Sequence, residues 1–249
     1  RYQGITKITS DNINRVIDET AGQVLTYKGQ LCDARFSKCC GGMSEAFQYA
    51  WESLDIPYLS SVRDINDQSE KKNRNLRDEQ HFREWVYNKP QAFCNWSDTD
   101  ELKKVLPDFD LETTDFYRWE VEYDAEELSD IFRRKSGLDI GLIKGFRPVE
   151  RGYSGRLSKL EIIGSKNKVI IGKELEIRKS LSESHLYSSA FVIEAGNSVS
   201  PGKFTFKGAG WGHGVGLCQI GAARMAFLGY TCEQILLHYY RGTEIKFVL

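Results

Sequence analysis

From Gly208 to Gly216 every second residue is glycine, within the stretch FKGAGWGHGVGLCQIGAARMAFLGY at positions 206–230. Such a run makes a poor helix and a poor strand, because each glycine gives up backbone freedom on ordering and offers no side chain to pack. It suits a loop whose backbone turns with positive φ or closely approaches another surface. Trp211 and His213 are the only large side chains between those glycines, so the loop displays an indole and an imidazole on nearly bare backbone. Val215, Leu217, Ile220, Ala223, Met225 and Phe227 then read as the half-buried face of a helix. A glycine loop feeding a helix N-terminus leaves N–H groups free to meet an anion or a polar ligand. Trp211, Gly212, His213 and Gly214 are therefore candidate ligand contacts. Gln219, in the first turn of the helix, adds an amide able to bind a sugar hydroxyl or an acetamido group. The plainer readings are a histidine that satisfies a buried carbonyl and a glutamine on the surface.

Composition narrows the class. The 249 residues suffice for a sizeable core, and 41% hydrophobic with 28% charged residues is ordinary for a globular domain. A net charge of -1 provides no basic field for nucleic acid or an anionic membrane. No apolar run reaches the length of a membrane span. Arg1-Tyr2-Gln3 is not a natural start, so the missing signal peptide says nothing about location.

Along the chain, Ser10 or Asp11 caps a predicted helix over Asn12–Glu19. Gln23–Tyr27 and Leu31–Phe36 are predicted as a hairpin around Lys28-Gly29-Gln30. Residues from about 67 to 114 are different in character: SEKKNRNLRDEQ is charged and poor in apolar residues, and His81–Val86 is a short amphipathic helix at best. This segment reads as an insertion in one domain spanning the chain, its charges forming a solvated face. Beyond it come a strand at Tyr117–Tyr123, a helix at Ala125–Ser136 stopped by Gly137, and a second hairpin from Ile143–Glu150 and Arg156–Ile163. A strand at Lys168–Ile171, a helix at Glu174–Leu181 and strands at Phe191–Glu194 and Lys203–Lys207 lead into the glycine loop. Thr231 caps a helix at Cys232–Tyr239, and Glu244–Val248 closes as a strand. Hairpin-joined strands with scattered helices predict an α+β fold with mostly antiparallel sheet.

A second constellation is the small-residue turn with Ser37, Cys40, Gly41, Gly42 and Ser44. The six cysteines are Cys32, Cys39, Cys40, Cys94, Cys218 and Cys232. None has CxxC spacing, and neither His185 nor His238 sits at ligand spacing, so the spacings predict no metal site and no cofactor. Most of these cysteines read as buried thiols. Cys40 paired with His213 would suffice for acyl transfer, although no orienting Asn or Asp is identifiable and packing is the plainer reading.

GWGHGVGLCQIGA resembles the signature of the stage II sporulation protein D / amidase enhancer family. IDETAGQVLTYKGQLCDARFSKCCGG and ILLHYYRGTEI are similar to that family's helix–hairpin–turn and closing segments. Cys218 and Ile220 depart from its usual Ser and Tyr or Trp. Phe36 replaces its histidine or aromatic, and Cys39-Cys40 replace Thr-Ser. The resemblance implies action on bacterial cell-wall glycan outside the cytoplasm, with peptidoglycan strands as partner. A lytic transglycosylase needs one carboxyl, which serves as acid and then base. The resemblance puts that glutamate upstream of the stretch matched by Tyr2-Gln3-Gly4-Ile5, and puts the zinc-binding Cys/His cluster of some relatives just upstream of residue 1. Glu19, Glu45 and Glu194 are then structural or surface carboxylates. Three hypotheses follow: a groove-bearing part of a glycan-cleaving protein; a non-catalytic glycan-binding enhancer working with a cell-wall amidase; and a cysteine-dependent hydrolase using Cys40 or Cys218.

Overall fold

A computed structural model describes residues 11–66, 75–102, 115–196 and 202–248. The expectations that fall on Ser10, on the charged run before residue 75 and on residues 103–114 lie outside the described residues. The fold is α+β, and its sheets are antiparallel except for one short parallel pair.

Helix α1 (Asp11–Glu19) leads into β1 (Gln23–Tyr27), which turns through Lys28 and Gly29, both at positive φ, into β2 (Gln30–Leu31). Two consecutive positive φ values give the tight hairpin its twist. β1 also pairs with the closing strand β11 (Glu244–Phe247), so the first sheet runs β11-β1-β2. The second hairpin strand stops well short of the predicted Phe36. Arg35 bends back onto Asp33 through its backbone N–H (2.9 Å) and its Nε (2.7 Å). That bend sends β3 (Phe36–Ser37) to pair in parallel with β10 (Leu217–Cys218), just after the glycine loop.

Two larger sheets form the other half of the molecule. One runs β4 (Arg118–Asp124), β9 (Lys203–Ala209), β8 (Phe191–Ala195), and the other β5 (Ile143–Arg151), β6 (Leu157–Gly164), β7 (Lys168–Ile171). α5 (Ala125–Ser136), ended by Gly137 in the left-handed region, and α6 (Glu174–Ser180) pack with these sheets. Leu128, Phe132, Leu160, Ile162, Ile177, Phe191, Phe204 and Phe206 bury a shared core there.

The region read as a charged insertion contributes to the core. α3 (Glu79–Asn88) is capped by the Asp78 side chain and packs on β8 and β9, with Phe82, Trp85 and Val86 buried. Phe93, Cys94, Trp96 and Leu102 of the following segment, which includes α4 (Thr99–Leu102), are buried too. Leu76 is buried as well, and these few apolar residues dock the stretch.

The remaining helices are α2 (Phe47–Ala50), α7 (Gln219–Phe227) and α8 (Cys232–Tyr239). Thr231 forms a full capping box with Gln234 at α8. The helical face expected from Val215 onward begins four residues later, because Val215 bridges to Glu45 and Leu217–Cys218 is β10.

Candidate functional site around the glycine loop

The two sequence constellations meet in space. Trp211 and Cys39 exchange both backbone hydrogen bonds, at 3.0 and 2.8 Å. Glu45 N–H donates to the Gly214 carbonyl, Leu217 N–H to that of Arg35 and Ile220 N–H to that of Lys38. On the other flank Gly210 N–H reaches Tyr117 and Gly212 N–H reaches Tyr187. Gly210, Gly212, Gly214 and Gly216 all have positive φ. At Gly216 a Cβ would stand 2.0 Å from the Arg35 carbonyl oxygen, and at Gly214 2.4 Å from the guanidinium carbon of Arg156.

Arg156 is the residue that spacing could not single out. Its side chain is buried and serves both constellations: Nε donates to the Gly212 carbonyl (3.0 Å), Nη1 to that of Cys40 (3.1 Å) and Nη2 to that of Cys39 (3.4 Å). Nη1 also donates to Ser154 Oγ (3.0 Å), which in turn donates to Glu45 Oε2 (2.6 Å). Glu45 is fully buried and accepts further bonds from the N–H groups of Ala46, Tyr153 and Ser154. Burial raises its carboxyl pKa, against the pull of these donors and of Arg156. Gly152 lies so close that a Cβ would stand 2.3 Å from Glu45 Oε2. Both carboxylate oxygens are thus committed to the frame.

His213 is half-buried, and its Nδ1 accepts from Val215 N–H (3.1 Å). The neutral ring then carries its proton on Nε2, with the Phe36 backbone as a further hydrogen-bond partner. Burial, helped by Arg156, Arg178 and Arg35, lowers its pKa to about 4, so the ring is neutral at physiological pH. Its face packs on Trp51 at 4.6 Å between centroids, and Arg35 lies 4.2 Å over the Trp51 ring. Trp211, half-buried, sits against Tyr187 (4.7 Å) and Phe116 (5.5 Å). Trp211 and Tyr187 border a cleft of about 410 Å³ that Val121, Tyr123, Ser182, Ser184, His185 and Leu186 complete. Gln219 is exposed at the start of α7.

The turn residues face inward. Ser44 Oγ accepts from Val62 N–H at 2.8 Å, and the Gly41 carbonyl accepts from Trp85 Nε1 and Arg118 Nη1, each at 3.2 Å. Gly42 lies under Trp85 and Tyr117, and Ser37 Oγ is buried with no hydrogen-bond partner among the described residues. Cys40 is buried with its Sγ 3.6 Å from that of Cys94. Burial pushes the Cys40 and Cys94 thiols well above their usual range, the opposite of what a nucleophile needs. Burial acts the same way on Cys218, but hydrogen bonds from the Cys39, Cys40 and Cys94 thiols and from Cys40 N–H outweigh it and hold that sulfur well below. Asp64 joins the group, so Cys40, Asp64, Cys94 and Cys218 bring their ligand atoms within 4.8 Å of one another. Sequence spacing hid this cluster, because its members come from four separate segments.

A family model described as "Domain of unknown function (DUF8618)" matches residues 45–216, from the buried Glu45 through Arg156 to the last alternating glycine. The chain belongs to that family. The DUF8618 match takes in residues 67–114 as well as both large sheets. Among curated proteins, the chain is 26% identical over 244 residues to the amidase enhancer of Bacillus subtilis (strain 168), covering 95% of this chain and 33% of that protein. It is 26% identical over 234 residues to the stage II sporulation protein D of the same organism, covering 94% and 51%. The stage II sporulation protein D of Bacillus amyloliquefaciens is 25% identical over 235 residues, covering 94% and 51%. These are the names to which the glycine-loop motif pointed. The chain spans between a third and a half of these relatives' lengths.

Proposed function

We propose that this chain supplies most of the substrate groove of a cell-wall protein that cleaves peptidoglycan glycan strands in the manner of a lytic transglycosylase. The observation that carries this reading is the cleft bordered by Trp211 and Tyr187 beside the glycine loop. Aromatic faces with a few polar groups suit the apolar faces and hydroxyl edges of sugars. In this reading His213, its ring nitrogens engaged by Val215 N–H and the Phe36 backbone, holds the loop in shape, and exposed Gln219 offers its amide to an acetamido group. Ser37, Cys40, Gly41, Gly42 and Ser44 shape the wall from behind, through the backbone bonds that fix the loop. The acid that protonates the leaving oxygen comes from outside this chain, since Glu45 has no oxygen to offer. A location outside the cytoplasm follows from the same substrate.

The enclosed state of Glu45 equally favours a second reading, in which the protein holds glycan strands for a separate amidase. Incubating purified glycan strands with the 249-residue chain, and separately with any longer protein that contains it, separates the two by mass spectrometry. Anhydro-ended products from the longer protein alone support the groove reading. Retained binding with no product from either supports the enhancer reading. Product from the chain by itself would sink the assignment of the acid elsewhere. Failure of both to bind glycan, or binding unchanged by Trp211→Ala, would end the glycan reading.

A further inference from the structure

We propose that Cys40, Cys94, Cys218 and Asp64 form a buried site for one thiolate-preferring divalent ion of the zinc class. The site is independent of the glycan reading and of any upstream metal ligands in relatives.

Geometry comes first. The four ligand atoms lie within 4.8 Å of one another, and Cys40 Sγ and Cys94 Sγ are 3.6 Å apart. Sulfurs bound at about 2.3 Å to a tetrahedral zinc stand about 3.8 Å from one another. Three sulfurs with one carboxylate oxygen make a four-coordinate set, with softness that selects zinc over magnesium or calcium.

Charge supplies the second argument. Buried cysteines alone would pass as small apolar residues, but Asp64 sits among them with no exposure to solvent. Its carboxylate accepts from Cys94 N–H (2.8 Å), from the Tyr239 hydroxyl (2.6 Å) and from the Cys94 thiol, none of them cationic. A buried carboxylate without a cation is costly, and a divalent ion is the partner that would relieve it. At least one Asp64 oxygen keeps a lone pair for coordination, and loss of the Cys94 thiol proton on binding frees another.

The surroundings are those of a metal shell. Cys218 Sγ accepts from Cys40 N–H (3.2 Å) and from Gly221 N–H (3.4 Å) at the start of α7. Such bonds fix and partly neutralise bound thiolates. At Gly221 a Cβ would meet the Tyr239 hydroxyl at 2.2 Å and Asp64 Oδ1 at 2.5 Å, so glycine there leaves room for both. The Cys39 thiol lies within hydrogen-bond reach of Cys218 and Cys94 and serves as an outer partner. The direction in which the thiols shift agrees: one sulfur is already favoured as thiolate and draws hydrogen bonds from the others. On binding, the ligand thiols release their protons to solvent and the ion takes over the role of those hydrogen bonds. The ion would tie the small-residue turn, the Asp64 segment, the Cys94 segment and the start of α7 into one unit behind the glycine loop.

The test uses the 249-residue chain purified under reducing conditions without chelator. The site requires about one zinc per chain by elemental analysis. X-ray absorption should show sulfur neighbours at about 2.3 Å. Replacement by cobalt should give the sulfur charge-transfer and visible bands of a tetrahedral thiolate complex. Cys94→Ser and Cys218→Ser should lose the ion, while Cys32→Ser and Cys232→Ser, outside the cluster, should keep it. The wild-type cobalt spectrum decides the matter even where a cluster variant fails to fold. Metal-free protein after anaerobic zinc reconstitution, with the four buried thiols released only on unfolding, would overturn the proposal. So would a Cys40–Cys94 disulfide in the protein as isolated.

Discussion

The two halves of this molecule are held by different means. In the sheet half, Phe191, Phe204, Phe206, Leu128 and Phe132 interdigitate, and stability comes from apolar area removed from water. The loop half has an apolar cluster of its own, with Phe47, Leu59, Phe93, Val215, Ile220 and Tyr239, but the glycine loop itself is tied in by a two-residue parallel pair and isolated bridges. There the backbone is fixed by Arg156, by Glu45 and by a thiol cluster. Dispersed apolar burial tolerates exchange of one hydrocarbon for another. A few polar side chains, each serving several carbonyls, do not. The difference teaches that a polar frame stands in for a ladder behind the glycine loop, which brings Trp211 to one side of the cleft while Tyr123, Ser182 and Tyr187 come to it from the sheet half.

The largest expected effects test that contrast directly. Phe206→Ala removes a buried ring packed on Phe191 and Phe146 and should cost about 3–5 kcal/mol in urea unfolding. Phe206→Leu should recover most of that, as a hydrocarbon core allows. Arg156→Ala strands the Gly212, Cys40 and Cys39 carbonyls together with Glu45, and a similar loss of about 3–5 kcal/mol is expected. Arg156→Lys, similar in charge, should recover little, because an ammonium cannot reproduce the fork. If the two conservative variants behave alike, the contrast between the halves fails.

A glycine pair sharpens it at smaller magnitude. Gly29→Ala, at φ +79° with nothing within 4 Å, should cost about 1 kcal/mol from backbone strain alone. Gly214→Ala, at φ +77°, adds a collision with Arg156 and should cost at least about 2 kcal/mol more, by thermal or urea unfolding.

The smallest effect is a pH dependence. Above the ordinary imidazole pKa of 6.5, His213 is neutral folded or unfolded and costs nothing. As pH falls from 6.5 toward 4, the unfolded chain takes up a proton that the folded ring refuses, so stability declines through that window. Half-burial limits the loss to about 1 kcal/mol at pH 4.5. The stability–pH curve of His213→Gln should be flatter there by that amount, and an unchanged acid limb would show that the ring is solvated.

Much of both halves was legible in the sequence. Ala125–Ser136 with its Gly137 stop, Lys168–Ile171 and the Thr231 cap have the expected bounds, since each rests on a local period or a local hydrogen bond. Leu31–Phe36 did not survive as one strand, because the Asp33–Arg35 bend is made by side-chain bonding that alternation does not encode. The region after residue 75 reads by its charge as a solvated face, yet Phe82 and Trp85 anchor it in the core.

By itself the sequence determined the alternating glycines, and with them a backbone that must take positive φ while displaying Trp211 and His213. Glycine alternation is a local constraint, written in adjacent residues. Only the tertiary structure decided that Arg156 sits behind that loop, that Glu45 is walled in, and that Cys40, Asp64, Cys94 and Cys218 converge. Those residues lie far apart along the chain, and no spacing rule links them. Their meeting follows from how the turn, the docked helix segment and α7 pack together, and the burial and electrostatics of each group exist only once that packing is complete.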